Sequence, residues 1–171
     1  IGLNLLRDWI YNKTKIYHPN KKHFSIIGID VKTSKRENNE WSQPILVGKK
    51  IGFAGFLKTY IKDHPHYLCR YLLKPGLKSS VVGCTVNTSD LLKYKSDNNL
   101  TKLDKHFINK FFLNKNSSIE YDNILSEEGG RFYKCQTRYM IKNLVLSRID
   151  KINKNYIWLS HNQIVDLIAK K

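Results

Sequence analysis

The sequence predicts an α+β fold, a mostly antiparallel or mixed sheet with segregated helices. Three observations carry this: β-rich runs fill the middle of the chain, two stretches with helical apolar spacing follow, and short Gly/Pro-containing turns separate them. With 171 residues, 41% of them hydrophobic and 12% aromatic, there is enough apolar side chain for one packed domain.

Leu3, Leu6, Trp9 and Ile10 recur at helical spacing and predict a short opening helix before the lysine-rich turn at Pro19 to Lys22. Residues 1–22 therefore read as a helix or linker, and 23–171 as the domain. Phe24 to Val31 alternates, with Ile27, Ile29 and Val31 on one face, and predicts a strand, while Thr33 to Glu40 is polar and loop-like. Ile51 to Ile61 and His66 to Leu73 predict a hairpin over the four-residue loop Lys62-Asp63-His64-Pro65, with Pro65 outside the ladder. Lys74-Pro75-Gly76 predicts the next turn, and Val81 to Thr88 a further strand.

Thr101 to Asp104 has the wording of a weak capping box, and Leu103, Phe107, Ile108, Phe111 and Phe112 form a helical stripe whose use is core packing. Arg138 to Leu146 returns to strand. Ser160-His161-Asn162-Gln163 is a capping box opening a last helix, with Ile164, Leu167 and Ile168 expected to face inward.

Thirty Lys+Arg against fourteen Asp+Glu give a formal charge of +16. Such a field attracts nucleotides and polyanions alike, but the lysines are scattered among Asn, Ile and Tyr, as codon bias produces, which weighs against a dedicated nucleic-acid surface. No apolar run has the length of a membrane span, and the start lacks a signal-peptide core, so a cytoplasmic protein is expected. Cys69, Cys84 and Cys135 are odd in number and widely spaced, which predicts reduced thiols and neither a disulfide scaffold nor a zinc site.

Chemistry concentrates between Tyr121 and Met140, YDNILSEEGGRFYKCQTRYM. Gly129-Gly130 can take positive φ and let backbone approach a ligand. Arg131 and Arg138 can grip phosphate oxygens bidentately, and Glu127 and Glu128 can exchange protons. Alternation along a strand places Arg138 with Met140 on one face and Tyr139 on the other.

Further motifs accompany this segment: Trp41-Ser42-Gln43-Pro44-Ile45, IGFAGFL from Ile51, Lys74-Pro75-Gly76, Thr85-Val86-Asn87 and Tyr156-Ile157-Trp158-Leu159-Ser160. In this order and at these separations, the set resembles the NDP-4-keto-6-deoxyhexose 2,3-dehydratase family, from about His23 to Lys170, and more weakly before His23 and from Leu91 to Ser118. Family members usually carry two tandem copies of a Nudix-like module, and SEEGGRFY resembles the second copy. A single such module is expected here, completed by a homodimer partner or a second module.

The resemblance implies a hydro-lyase acting on a dTDP-linked 4-keto-6-deoxyhexose in deoxysugar biosynthesis, with no metal or redox cofactor. A base takes the C3 proton, which the C4 ketone acidifies, and the resulting enolate expels the C2 hydroxyl. Glu127 or Glu128 is the candidate base, and Tyr133 or Tyr139 the candidate donor. Arg131 and Arg138 suit the pyrophosphate, Trp41 and Gln43 the base, and Arg70 and Asn87 stand at the family's polar positions.

Departures from the family pattern fall in the same segments: Arg70 where Gln is usual, Leu72 for Lys, Lys74 for Glu, Cys84 for Pro and Asn87 for Gln. The Leu72 and Lys74 departures favour the competing reading, a non-catalytic nucleotide-sugar-binding or assembly module with the same fold.

Overall fold

The structure is a computed structural model, and it describes residues 5, 7–20, 23–48, 51–73, 76, 78–90, 102–113, 118–144, 152 and 154–169. Leu3, Leu6, Lys22, Lys74, Pro75, Thr101, Leu146 and the weakly matching stretch 91–101 lie outside these residues, as does the side chain of Leu103. The expected α+β class is borne out: among the described residues there are two mixed sheets and two helices. The backbone groups into two compact units, residues 1–51 with 126–136, and residues 52–125 with 137–171.

The first unit is a five-stranded sheet in the order β1-β2-β3-β4-β10, built from β1 (Ile10–Tyr11), β2 (Lys15–Tyr17), β3 (Ser25–Lys32), β4 (Glu40–Val47) and β10 (Phe132–Tyr133). Ile10 pairs with Tyr17, so the expected opening helix does not extend to Ile10, which begins a strand. A β-branched residue with a partner edge on β2 gains more from a ladder than from helical spacing alone. β3 and β4 form an antiparallel hairpin from Ser25↔Val47 to Lys32↔Glu40, and β10 adds parallel to β4 with Phe132 opposite Leu46.

The second unit holds a seven-stranded sheet. Its path is β12-β6-β5-β11-β9, with β7 on β6 and β8 on β5, from β5 (Gly52–Ile61), β6 (His64–Leu72), β7 (Val81–Gly83), β8 (Val86–Thr88), β9 (Ile119–Ser126), β11 (Gln136–Asn143) and β12 (Tyr156–Ser160). The β5-β6 turn is tighter than expected. Ile61 pairs with His64 and Tyr60 with Pro65, leaving a two-residue turn, Lys62-Asp63, with φ of 48° and 62°. That is the left-handed geometry a two-residue hairpin demands. Pro65 sits inside the ladder because, one step from the closing pair, its missing N–H falls where β5 offers no acceptor.

The expected single strand Val81 to Thr88 is broken at Cys84-Thr85, because β5 and β6 diverge past Leu57 and Leu68. Beyond that fork β6 pairs with β7 and β5 with β8. Thr85, fully buried, fills the fork: its hydroxyl accepts from Leu57 N–H at 3.0 Å and donates to the Leu68 carbonyl at 2.5 Å.

Helix α1 (Lys102–Phe112) closes one face of this sheet. Its Phe107, Ile108 and Phe111 enter the core with Phe53, Leu57, Leu68, Val86, Met140 and Tyr156, as the sequence stripe predicts. Each such side chain contributes about 1.5–3 kcal/mol on burial. Gly55 is required here, since a Cβ would stand 2.7 Å from the Phe111 ring. The last turn of α1 is capped from the sheet: the buried Lys142 ammonium donates to the Phe111 carbonyl at 2.7 Å, a cation at the negative end of the helix, and burial lowers its pKa.

Helix α2 (His161–Ala169) opens as expected, with Gln163 N–H on Ser160 Oγ at 3.3 Å and Ser160 N–H on Gln163 Oε1 at 2.9 Å. Its apolar stripe does not face inward: Ile164 is half-buried, but Leu167 and Ile168 are 52% and 66% exposed. Helical period fixes which residues share a face, not whether anything covers that face.

Candidate functional site

In the first unit two motifs far apart in sequence meet. Phe132 pairing with Leu46, and Leu46 N–H donating to the Arg131 carbonyl at 3.0 Å, seat the diglycine segment against β4. Trp41 and Gln43 share a face of β4 by strand alternation, and Trp41 Nε1 donates to Gln43 Oε1 at 2.7 Å. The Gln43 amide then donates to the Gly130 carbonyl at 2.5 Å. A relay Trp41→Gln43→Gly130 thus holds the turn at Gly130, whose φ of +85° lies in the left-handed region.

A Cβ added at Gly130 would meet nothing within 4 Å, so a substitution there is penalised through the backbone alone. Gly130→Val is expected to destabilise by about 1–3 kcal/mol in chemical denaturation. An unchanged midpoint would mean that the turn relaxes without cost.

Glu128 and Arg131 stand on this turn as an i,i+3 ion pair at 3.1 Å, with side chains 64% and 68% exposed. Glu127 is half-buried and its N–H donates to the Cys135 carbonyl at 2.9 Å, closing the loop's base. Tyr133, 39% exposed on β10, has the Lys134 ammonium 5.3 Å from its ring centroid. The Arg36 guanidinium lies over the Trp41 ring, 5.8 Å from its centroid. Both polar ends of Gln43 are engaged within the unit, which gives it the work of positioning the turn in addition to any ligand contact.

The second unit carries the other four sequence-selected residues, and alternation divides them as expected. Arg138 stands opposite Phe53 and Arg70 opposite Tyr156, on the face that α1 covers, while Asn87 and Tyr139 flank Ala54 on the opposite face. Arg70 Nη1 reaches the buried Asp104 of α1 at 3.4 Å, and Asp104 also accepts from the Tyr156 hydroxyl at 2.6 Å. Arg138 grips Asp122 of β9 through Nε at 2.6 Å and Nη2 at 2.5 Å. Of the departing positions, Cys84 is buried with its thiol on the Val86 carbonyl at 3.2 Å, and Leu72 lies in β6 opposite Val81. Burial pushes the neighbouring Cys69 thiol up to about 12, with a smaller push from Cys84, so Cys69 offers no ready thiolate.

The hydrogen bonds from Arg138 hold the Asp122 carboxyl below the usual carboxylate range, outweighing burial. A depressed folded-state pKa stabilises above the unfolded value, near 3.9, and that contribution is lost as pH falls through the folded value. The melting-temperature gap between the parent protein and Asp122→Asn is therefore expected to narrow from neutral pH to about pH 3. A gap constant with pH would mean that the ion pair contributes nothing.

With fold and turn in place, the family follows. The family model described as NDP-hexose 2,3-dehydratase matches residues 1–171, and the chain belongs to that family. The match includes the first twenty residues, where the motifs are weak. Three curated relatives are each named dTDP-4-dehydro-6-deoxy-alpha-D-glucopyranose 2,3-dehydratase. That of Saccharopolyspora spinosa is 27% identical over 171 residues, covering 98% of this chain and 34% of the relative. Those of Streptomyces violaceoruber and Amycolatopsis orientalis are 27% and 28% identical over 90% and 93% of this chain and 33% of each relative. The chain spans about a third of the length of the relatives it matches. A solved structure titled as that of an ADP compounds hydrolase aligns at 11% identity and a TM-score of 0.46, over 87% of this chain and 77% of that one. Among the described residues no helix is long and apolar enough to cross a membrane.

Proposed function

We propose that the chain is a nucleotide-sugar 2,3-dehydratase module that removes water across C2 and C3 of a dTDP-linked 4-keto-6-deoxyhexose in the cytoplasm. The observation that carries this reading is the relay Trp41→Gln43→Gly130, which joins the WSQP and EEGGR segments that bear the family likeness. A family trait that lived only in sequence would not need the two to touch.

In this reading Glu128, with Glu127 as its neighbour, takes the C3 proton, and the electrons move into the C4 carbonyl to form an enolate. The enolate collapses as the C2–oxygen bond breaks, and the hydroxyl leaves as water with a proton from Tyr133. The enol product becomes a 3,4-diketo sugar that a reductase consumes. Arg131 takes the pyrophosphate, and Trp41 stacks on the base. Arg70 and Arg138, already held by Asp104 and Asp122, would serve an anion only by sharing their remaining donors. Because the chain spans a third of its relatives' length, a second module or a second copy is proposed to complete the enzyme.

Incubating the protein with dTDP-4-keto-6-deoxyglucose and following loss of one water by mass spectrometry tests the reaction. Binding without turnover would leave the module as a nucleotide-sugar carrier and overturn the enzymatic reading.

A further inference from the structure

On the face of the second sheet opposite α1, a cluster outside the machinery above is built around a buried ammonium. Lys58 on β5 is 6% exposed, and its Nζ donates to both carboxylate oxygens of Glu120 on β9, at 2.8 and 2.7 Å. Tyr60, two residues along β5 and hence on the same face, brings its ring to the same ammonium, which lies 4.9 Å from the Tyr60 ring centroid and 5.9 Å from that of Tyr67. Burial alone would lower the Lys58 pKa, but the hydrogen bonds of Glu120 and Tyr60 and the Glu120 charge hold it above the usual lysine range.

Two of the ammonium donors are turned to Glu120, and the hydroxyl of the exposed Tyr60 beside them carries a donor of its own. Glu120, its side chain 39% exposed, keeps lone pairs that can accept from outside. Asn143 stands opposite Lys58 in the β5-β11 register, and its Oδ1 is buried with no hydrogen-bond partner among the described residues. That oxygen is an unmet acceptor on the strand beside Lys58. Tyr60, 58% exposed, offers a ring face beside the two polar groups.

We propose that Tyr60 and Glu120, set by Lys58, form a binding site for a pair of neighbouring sugar hydroxyls. The donor of Tyr60 and the acceptor of Glu120 match a hydroxyl's acceptor and donor, both flank one nitrogen, and the ring takes the sugar's C–H face. Lys58 and Glu120 cancel in charge, so phosphate has no cation to seek here despite the chain's +16. The site stands on this geometry alone and does not depend on the dehydratase reading.

The test is a titration of the labelled protein with methyl α-D-glucopyranoside, followed by amide and Asn143 side-chain NMR shifts, with inorganic pyrophosphate as the contrasting probe. Saturable millimolar shifts centred on Tyr60, Glu120 and Asn143, weakened at least about tenfold by Tyr60→Phe and by Glu120→Gln, are expected. Both changes are at exposed side chains, and a folded spectrum for each checks that the loss is local. Shifts there with pyrophosphate but not the glycoside, no saturable shift, or undiminished binding in both variants would each overturn the site. A null result for turnover of the keto sugar leaves this measurement unaffected.

Discussion

Thr85→Val is expected to destabilise the protein by about 2–4 kcal/mol, more than the loss of one ordinary hydrogen bond. The substitution conserves shape, so cavity formation contributes little. What changes is satisfaction. Leu57 N–H and the Leu68 carbonyl lie at the fork where β5 and β6 part, and the Thr85 hydroxyl answers both, at 3.0 and 2.5 Å, from a fully buried position. A valine methyl leaves a buried donor and a buried acceptor orphaned together, each costing about 1–3 kcal/mol when stranded. Thr85→Ser keeps the bridge and loses only a methyl group, so it should retain most of the stability. Urea denaturation of the three proteins checks this, and a Val variant within about 1 kcal/mol of the parent would show that the strands close the fork without the hydroxyl.

That fork also marks the limit of what the sequence discloses. Val81 to Thr88 carries an unbroken β-rich pattern, and nothing in its own residues says that one half serves β6 and the other β5. The break is imposed by a partner, which periodicity does not encode. The stripe Phe107, Ile108 and Phe111 was legible because helical spacing and burial agree there, and so was the Ser160/Gln163 cap, whose chemistry is local. β9 was not foreseen as a strand: seven of its eight residues are exposed, so it lacks the alternation that marks a half-buried strand. The stripe of α2 misled in the opposite direction, since Leu167 and Ile168 have the spacing of a buried face and are exposed.

For the site, residue types were legible and their partners were not. EEGGR and WSQP could each be named as chemistry-bearing, yet the contact between Gln43 and Gly130, 87 residues apart, comes from β10 joining β4 in parallel. A two-residue strand such as Phe132-Tyr133 is too short for pattern to detect. Likewise the carboxylates holding Arg70 and Arg138, Asp104 and Asp122, come from α1 and from β9, and only the fold supplies them.

Glu128→Gln is expected to reduce turnover of the keto sugar by at least about 100-fold while leaving the melting temperature within a few degrees. The two halves of this prediction have separate causes. Stability changes little because the Glu128–Arg131 pair is exposed at both ends, and such pairs contribute about 0.2–1 kcal/mol. Turnover falls because an amide cannot accept the C3 proton, and the Arg131 guanidinium no longer faces a formal negative charge. Glu127→Gln separates the neighbours: Glu127 is half-buried at the loop's base, so its replacement should cost more stability and less catalysis if Glu128 is the base. Steady-state kinetics alongside thermal melts decide the matter. Full activity in Glu128→Gln with loss in Glu127→Gln would move the base one residue back, and full activity in both would remove the acidic pair from the chemistry altogether.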